Sequence, residues 1–152
     1  ISRRYCLLRN DCLIQSTLSE NLVTSYLGAN YQIGTGSISL QINQYSEPLA
    51  RLLTASKQPC AAIISAYNPF SRLLNDKENR ALHESLMHFL SSCSYAMIES
   101  LNTDSAEVWP AEKSFFVLGL DLNTSKSLGQ RFNQNAIVWI DNDAIPRLIL
   151  LR

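Results

Sequence analysis

Four short segments combine amide, carboxylate and guanidinium side chains at places where a strand should end or a helix should begin. They are Ser65–Pro69, Glu78–Arg80, Trp109–Glu112 and Gln134–Val138. Ligands of sheet proteins are usually held by loops beyond the strand ends. None of the four segments is a motif with a known reaction. The sequence therefore predicts where a site lies, without predicting its chemistry.

The first two segments lie where an apolar run ends and a helix follows. Asn68 ends the run, and Arg80 belongs to the first turns of the helix. A helix N-terminus offers free N–H groups and partial positive charge, which suit an anion. Asn79 falls about 20° from Leu86 on the helical wheel, inside the apolar stripe, so its amide must find hydrogen bonds. We favour a role for Asn79 in holding the Asn68 loop over a direct contact with a ligand.

Three more polar residues of this helix have ordinary structural alternatives. Glu78 fits the carboxylate of a capping box, and that role is favoured over ligand binding. His83 lies about 60° from Leu86, where a half-buried helix-flank histidine is commoner than a general base. His88 should be solvated. The two histidines point about 140° apart and cannot share one ion, so no metal site is predicted.

The last two segments lead into strands. Glu112 could pair with Arg80 or Arg131, or act as a general base on a substrate; pairing is favoured because ion pairs outnumber catalytic carboxylates. Trp109 fits either a lid over a site or the core. Gln134 fits a helix C-terminus and a recognition amide at the sheet edge equally well. No standard catalytic signature is present, so whether the protein is an enzyme stays open, as does any cofactor.

Composition narrows the class of protein. The 152 residues are predicted to form one domain spanning 1–152, with 46% hydrophobic residues and 13 basic against 13 acidic side chains. Zero net charge argues against binding to duplex nucleic acid. The basic cluster Arg3, Arg4 and Arg9 is interpreted as a solvated terminus over a phosphate-binding arm. Apolar runs such as Phe115–Leu118 and Leu148–Leu151 are too short for a membrane span.

The four cysteines, Cys6, Cys12, Cys60 and Cys93, include no C-x-x-C pair. We interpret them as reduced thiols, mostly small core residues, in a cytoplasmic protein. Because the first residue is Ile1 rather than Met, a trimmed chain or a fragment is expected.

Hydrophobic periodicity and turn residues predict an α+β protein: a mixed sheet of about five to six strands, four helices packed on it and a C-terminal β-hairpin. The first helix should start at the capping box Thr17–Glu20 and end near Gly28. The predicted helices then begin at Ser46, Asn75 and Thr124. The predicted strands cover residues 31–33, 38–42, 60–66, 95–101, 114–120, 136–140 and 146–151, the first two being the weakest. Residues 102–113 form a polar link long enough to be functional.

The four segments also resemble a bacterial family known as domain of unknown function 3293. Its pattern is a strand ending in (I/T)-(S/T)-A-x-N-P, a helix start E-N-x-x-R, a W-x-E-(S/x) entry to a strand and a late Q-x-A-(I/V) strand. The corresponding residues are Ile64–Pro69, Glu78–Arg80, Trp109–Glu112 and Phe132–Ile137. The chain departs from the pattern where Arg80 follows Asn79 directly and where Asn133 replaces the expected glycine. The resemblance covers roughly residues 31–152. It gives no activity, but it implies that Asn68, Asn79, Glu112 and Gln134 belong together.

Two functions follow as hypotheses. The first is binding of a small molecule or an anion, such as a nucleotide, at strand ends and a helix N-terminus. Its general base, if the protein is an enzyme, would be Glu112 or His83. The second is a protein-interaction module of regulatory or immunity type without catalysis. The residues expected to bind the ligand are Asn68, Glu78, Asn79, Arg80, Glu112 and Gln134.

Overall fold

The computed structural model describes residues 4–6 and 13–152, with side chains from residue 16 onward. The helices are α1 (Glu20–Gly28), α2 (Glu47–Ser56), α3 (Asp76–Ser92) and α4 (Leu122–Arg131), with a 3-10 turn at Pro69–Ser71. The strands are β1 (Arg4–Cys6), β2 (Leu13–Gln15), β3 (Asn30–Ile33), β4 (Ile38–Leu40), β5 (Ala61–Ile64), β6 (Met97–Thr103), β7 (Glu112–Leu118), β8 (Ala136–Ile140) and β9 (Pro146–Leu150).

Seven strands form the main sheet, in the order β4-β3-β6-β7-β5-β8-β9, and β1 and β2 form a separate ladder. Every neighbouring pair is antiparallel. The α+β class, the four helices and the C-terminal hairpin β8–β9 are confirmed. The prediction of five to six strands in a mixed sheet was wrong, because both short strands of the β3–β4 hairpin join the sheet. Alternating helices and strands suggested parallel crossovers, whereas adjacent strands here run in opposite directions.

Helices cover both faces of the sheet. Along β5 the side chains alternate, so that Ala61 and Ile63 pack with Val23 of α1 and Leu49 of α2. Ala62 and Ile64 point the other way, toward Leu86 and Leu90 of α3 and Leu128 of α4. All four residues of β5 are buried, as expected for a strand between two layers of helices.

Side-chain caps fix where the helices begin. Asn75 accepts from the Glu78 N–H, as predicted for α3. The cap of α1 is Ser19, two residues after the predicted Thr17, and its hydroxyl accepts from the Leu22 N–H. Asp121 caps α4 in the same way. No helix in the described residues is both long enough and apolar enough to span a membrane.

The predictions for the first residues fall largely outside the described part. The side chains of Arg3, Arg4 and Arg9, and the thiols of Cys6 and Cys12, are not among those described. Cys60 is a buried free thiol and Cys93 an exposed one.

Candidate functional site

A cavity of about 130 Å³ lies between α1 and one end of the sheet. Its volume is close to that of the ~150 Å³ engineered cavity that binds benzene in another protein. The walls come from α1, the sheet and the loops after β5 and β6, and include Leu22, Tyr26, Tyr31, Ile63, Asn68, Ser71, Asn102, Asp104, Trp109, Glu112, Gln134 and Asn135. The cavity can therefore hold a small molecule of the size of a single ring.

Strand register places three of these side chains in one row. Tyr31 of β3 lies opposite Asn102 of β6, and Asn102 lies opposite Glu112 of β7. Directly opposed residues on neighbouring strands point to the same face, with Cβ atoms about 5 Å apart. Tyr31 packs in the α1–α2 core, so the row faces α1. The sheet thus forms a floor with a carboxylate, an amide and a phenol side by side.

Glu112 is held through one of its two carboxylate oxygens. Asn68 Nδ2 donates to Oε1 over 2.8 Å, and Trp109 Nε1 donates to the same oxygen over 2.9 Å. Burial raises the pKa of Glu112, while the bonds from Asn68 and Trp109 oppose that rise. In the described structure Oε2 accepts no hydrogen bond, and Glu112 lines the cavity. The predicted ion pair with Arg80 or Arg131 was wrong, because two neutral donors hold the carboxylate instead.

Asn68 is the centre of the network that positions Glu112. It is 4% exposed and adopts a left-handed conformation with φ 45°, which asparagine tolerates better than most residues. Its N–H donates to Asn79 Oδ1 over 2.8 Å, and its own Oδ1 accepts from Asn79 Nδ2 and from the Leu74 N–H. Asn79 therefore ties down the Asn68 loop from α3 and does not line the cavity.

A second polar group lies at the α1 side of the cavity. The hydroxyls of Tyr26 and Ser71 are 2.6 Å apart, and Asn135 Nδ2 donates to Ser71 Oγ over 2.9 Å. Burial raises the pKa of Tyr26, so its phenol stays neutral. Ser71 and Phe70 both have φ 56°, a strained region for residues other than glycine. The loop after β5 thus bends back sharply to bring Ser71 to the cavity.

Asn102 is oriented by hydroxyl groups within the sheet. Ser114 Oγ donates to Asn102 Oδ1 over 2.7 Å, and the Ser100 and Ser114 hydroxyls are 2.6 Å apart. Because Oδ1 is used by Ser114, the amino group of Asn102 is left as the donor on this part of the floor.

Gln134 holds the loop after β5 from the opposite side. Its Nε2 donates to the main-chain oxygens of Tyr67, over 3.1 Å, and Phe132. The residue that ends α4 in left-handed conformation is Asn133, with φ 56°, and the Gln134 N–H bonds to Gly129 O. Gln134 lines the cavity and also supports its wall. The structure is therefore compatible with both predictions for this residue, a role at the helix C-terminus and a role as a recognition amide.

The structure does not bring every predicted residue to this place. Glu78 and Arg80 are exposed on α3, and Glu78 accepts from Asn75 at the helix cap. His83 is 7% exposed rather than half-buried, and its ring stacks on Phe115 with centroids 4.3 Å apart. None of the three lines the cavity. Asn68, Asn79, Glu112 and Gln134, which the resemblance grouped, do lie together.

Sequence reasoning missed half of the walls. Tyr26 and Tyr31 carried no signal, because each fits an apolar pattern of a helix or a strand. Asn102 and Asp104 lay in the predicted link 102–113, whose suggested functional role was the available hint. Asp104 accepts from the N–H groups of Ala106, Val108 and Trp109, which lower its pKa and shape the rim.

The charge of the cavity is negative. Of the residues that line it, Asp104 and Glu112 are acidic, and none in the described part of the chain is Lys, Arg or His. The same described residues contain no group of three or more His, Cys, Asp or Glu side chains arranged to hold a metal ion.

Comparison with known proteins gives one result. Neither the curated proteins nor the solved structures include a match. A family model described as "Protein of unknown function (DUF3293)" matches residues 64–137, a segment that contains Asn68, Asn79, Glu112 and Gln134 but not Tyr26 or Tyr31. The expected resemblance is confirmed over residues 64–137, the segment that this family model matches.

Proposed function

We propose that this protein binds a small molecule in the cavity between α1 and the sheet, with Glu112 as the main recognition group. The observation that carries the proposal is the asymmetry of this carboxylate. Oε1 is fixed by two donors while Oε2, in the described structure, has none. An oriented carboxylate oxygen that faces a cavity and has no described partner is available to accept a hydrogen bond, and such a polar group in a largely apolar pocket favours a ligand.

The surrounding geometry supports a preformed site. Asn68 and Ser71 are both in the left-handed region, and strained backbone clusters at ligand sites. Asn79 of α3 and Gln134, which follows α4, brace this loop through hydrogen bonds. A site of this kind would bind its ligand without paying for loop ordering.

The proposal stops at binding and makes no claim of catalysis. If a reaction takes place, Glu112 is the better candidate for its general base, because a base must reach the proton that it removes. Both ring nitrogens of His83 are buried without a hydrogen bond, away from the cavity.

The predicted anion is less well supported than a ligand as such. The first turn of α3 carries Asp76 and Glu78, and the Asn75 side chain occupies one of its N–H groups. These residues are outside the cavity, whose own ionisable groups are acidic. A nucleotide phosphate would meet repulsion there.

Three wider predictions accompany this proposal. Residues 1–152 act as one domain, the protein works in the bacterial cytoplasm, and its partner is the ligand rather than duplex DNA. The alternative of a regulatory or immunity-type interaction module remains a hypothesis. No feature of the described surface singles out a protein partner for it.

A cavity-filling variant tests the proposal. Ser25 lines the cavity from α1, and Thr24, the preceding exposed residue on the same helix, does not. We expect that cationic, neutral and anionic metabolites of single-ring size, screened by thermal shift, include compounds that raise the melting midpoint. The rise should disappear in Ser25→Phe and persist in Thr24→Phe. Equal responses of the two variants, or no response to any compound, would contradict the proposal.

A further inference from the structure

The charged polar atom that the cavity leaves without a described partner is an acceptor. Glu112 Oε2 accepts nothing from the described residues. The Asn135 side chain is already used, because its amino group donates to Ser71 and it also bonds Tyr26. A ligand that satisfies Oε2 must therefore present an N–H or O–H donor to it.

Charge narrows the ligand further. Asp104 and Glu112 give the lining two carboxylates without a described basic side chain to balance them. The Asp104 carboxylate already accepts hydrogen bonds from three main-chain N–H groups of its own loop. It therefore adds negative electrostatic potential to the cavity rather than a free hydrogen-bond acceptor. Among the residues with described side chains none is a cation paired with Glu112, and a partly buried carboxylate gains most from a positively charged donor.

Aromatic rings suit the same kind of ligand. Tyr26, Tyr31 and Trp109 line the cavity together with aliphatic side chains. The face of an aromatic ring attracts a cation within about 6 Å of its centre. A compact cation with an apolar body would thus contact the rings and the carboxylate at once.

We propose that the cavity selects a small organic cation, an amine or amidine whose N–H groups donate to Oε2 of Glu112. The inference rests on the proposed function and adds the chemical class of the ligand. Glu112 supplies charge and direction, and Trp109 with Asn68 keeps the carboxylate in place. The volume limits the buried part of the ligand to about one ring.

Matched probes test this class directly. Benzamidine, benzamide and benzoate share one shape and carry positive, zero and negative charge; butylamine, butanol and butyrate form an aliphatic series. Calorimetric titration of the wild-type protein should give tighter binding of the cation than of the neutral compound by about tenfold or more, since a charged hydrogen bond discriminates to that extent. The anions should bind weakest.

Glu112→Gln provides the second measurement. The amide keeps the shape and can still accept from Asn68 and Trp109 through its oxygen, so the fold should be retained, which its melting midpoint verifies. In this variant the cation and its neutral counterpart should bind with about the same affinity. Ser25→Phe should abolish binding of every probe.

The outcomes separate the two proposals. If neither cation binds more tightly than its neutral and anionic counterparts, or if Glu112→Gln keeps the preference, the cation inference is overturned. The proposed function survives that result if the wider screen gives a ligand whose response is lost in Ser25→Phe. If no compound of any charge class responds in that way, both proposals fail.

Discussion

Two ionisable groups, the partly buried Glu112 and the buried His83, lie on opposite faces of the sheet, and their surroundings differ. Glu112 faces α1, with one oxygen held by Asn68 and Trp109 and the other open to the cavity. His83 faces α3, stacked on Phe115, with both ring nitrogens buried and unbonded; Glu99 Oε1 is 3.7 Å from Nε2, too far for a hydrogen bond. One group is prepared for a ligand, whereas the other is used as an aromatic filler of the core.

Replacement of Asn68, which holds Glu112 in place, should have the largest effect on the stability of the protein. Asn68→Ala removes the oxygen that accepts from Asn79 Nδ2 and from the Leu74 N–H, removes a donor to Glu112, and puts alanine at φ 45°; the main-chain N–H can still donate to Asn79. We expect a loss of about 3–4 kcal/mol in the free energy of unfolding, measured by urea denaturation. Asn68→Gly should recover about 1 kcal/mol of that loss, since glycine adopts this conformation freely. A loss below about 1 kcal/mol in the alanine variant would show that the network matters little.

The pH dependence of stability should report His83. Burial lowers its pKa, outweighing Glu99 and Glu84, which raise it, while Lys113 lowers it further. The unfolded chain therefore takes up the proton first, and stability falls as pH drops below about 6.5, by up to about 1.4 kcal/mol per pH unit until the folded-state pKa is reached. Denaturation of His83→Leu across the same range should lack this slope. Identical slopes in both proteins would mean that His83 does not titrate as its burial implies.

Glu112→Gln should make the protein more stable at neutral pH. Burial raises the pKa of Glu112, so the stability linked to its protonated form is complete below the ordinary pKa and is lost as pH rises through the raised one. A neutral amide avoids that loss, and we expect a gain of about 1 kcal/mol, typical when a functional group is replaced. Urea denaturation at pH 7 and pH 4 tests the sign, because the gain should shrink at the lower pH. A variant less stable than wild type at pH 7 would show that the ionised carboxylate of Glu112 does not destabilise the folded protein.

The same titration should control ligand binding. Benzamidine needs the ionised carboxylate, so its affinity should fall as pH drops through the raised pKa of Glu112, by up to tenfold per pH unit. Calorimetry at several pH values measures this fall, and Glu112→Gln should show none. An unchanged affinity at acidic pH would show that benzamidine does not bind to the carboxylate of Glu112.

The smallest effect is expected at Arg80. This side chain is exposed on α3 and away from the cavity, although the sequence placed it in the site. Arg80→Ala should change the unfolding free energy by less than about 0.5 kcal/mol and leave benzamidine binding unaltered. A clear loss of binding would extend the site to the α3 surface.

Local patterns predicted the elements but not the cavity. The apolar run at β5, the Asn75 cap and the stripe through Leu86 are set by neighbours in sequence, and the structure follows them. Glu112 reaches Asn102 and Tyr31 through strand register, which joins residues far apart in the chain and leaves no periodic mark. Asn79 was recognisable because an amide within an apolar stripe conflicts with its surroundings. Tyr26 fits its stripe and gave no such conflict.

The position of β5 in the interior of the sheet also affects how the protein is made. Its neighbours β7 and β8 are both synthesised later; Ala61 waits for Leu118 on one side and for Ile140 on the other. Contacts between such distant residues form slowly, and during translation they form only after the later partner has left the ribosome. Asn68 and Ser71 emerge well before Glu112 and Asn135, their partners in the cavity. A nascent chain can thus build its helices early, whereas the ability to bind arises only after the segment through Asn135 has emerged.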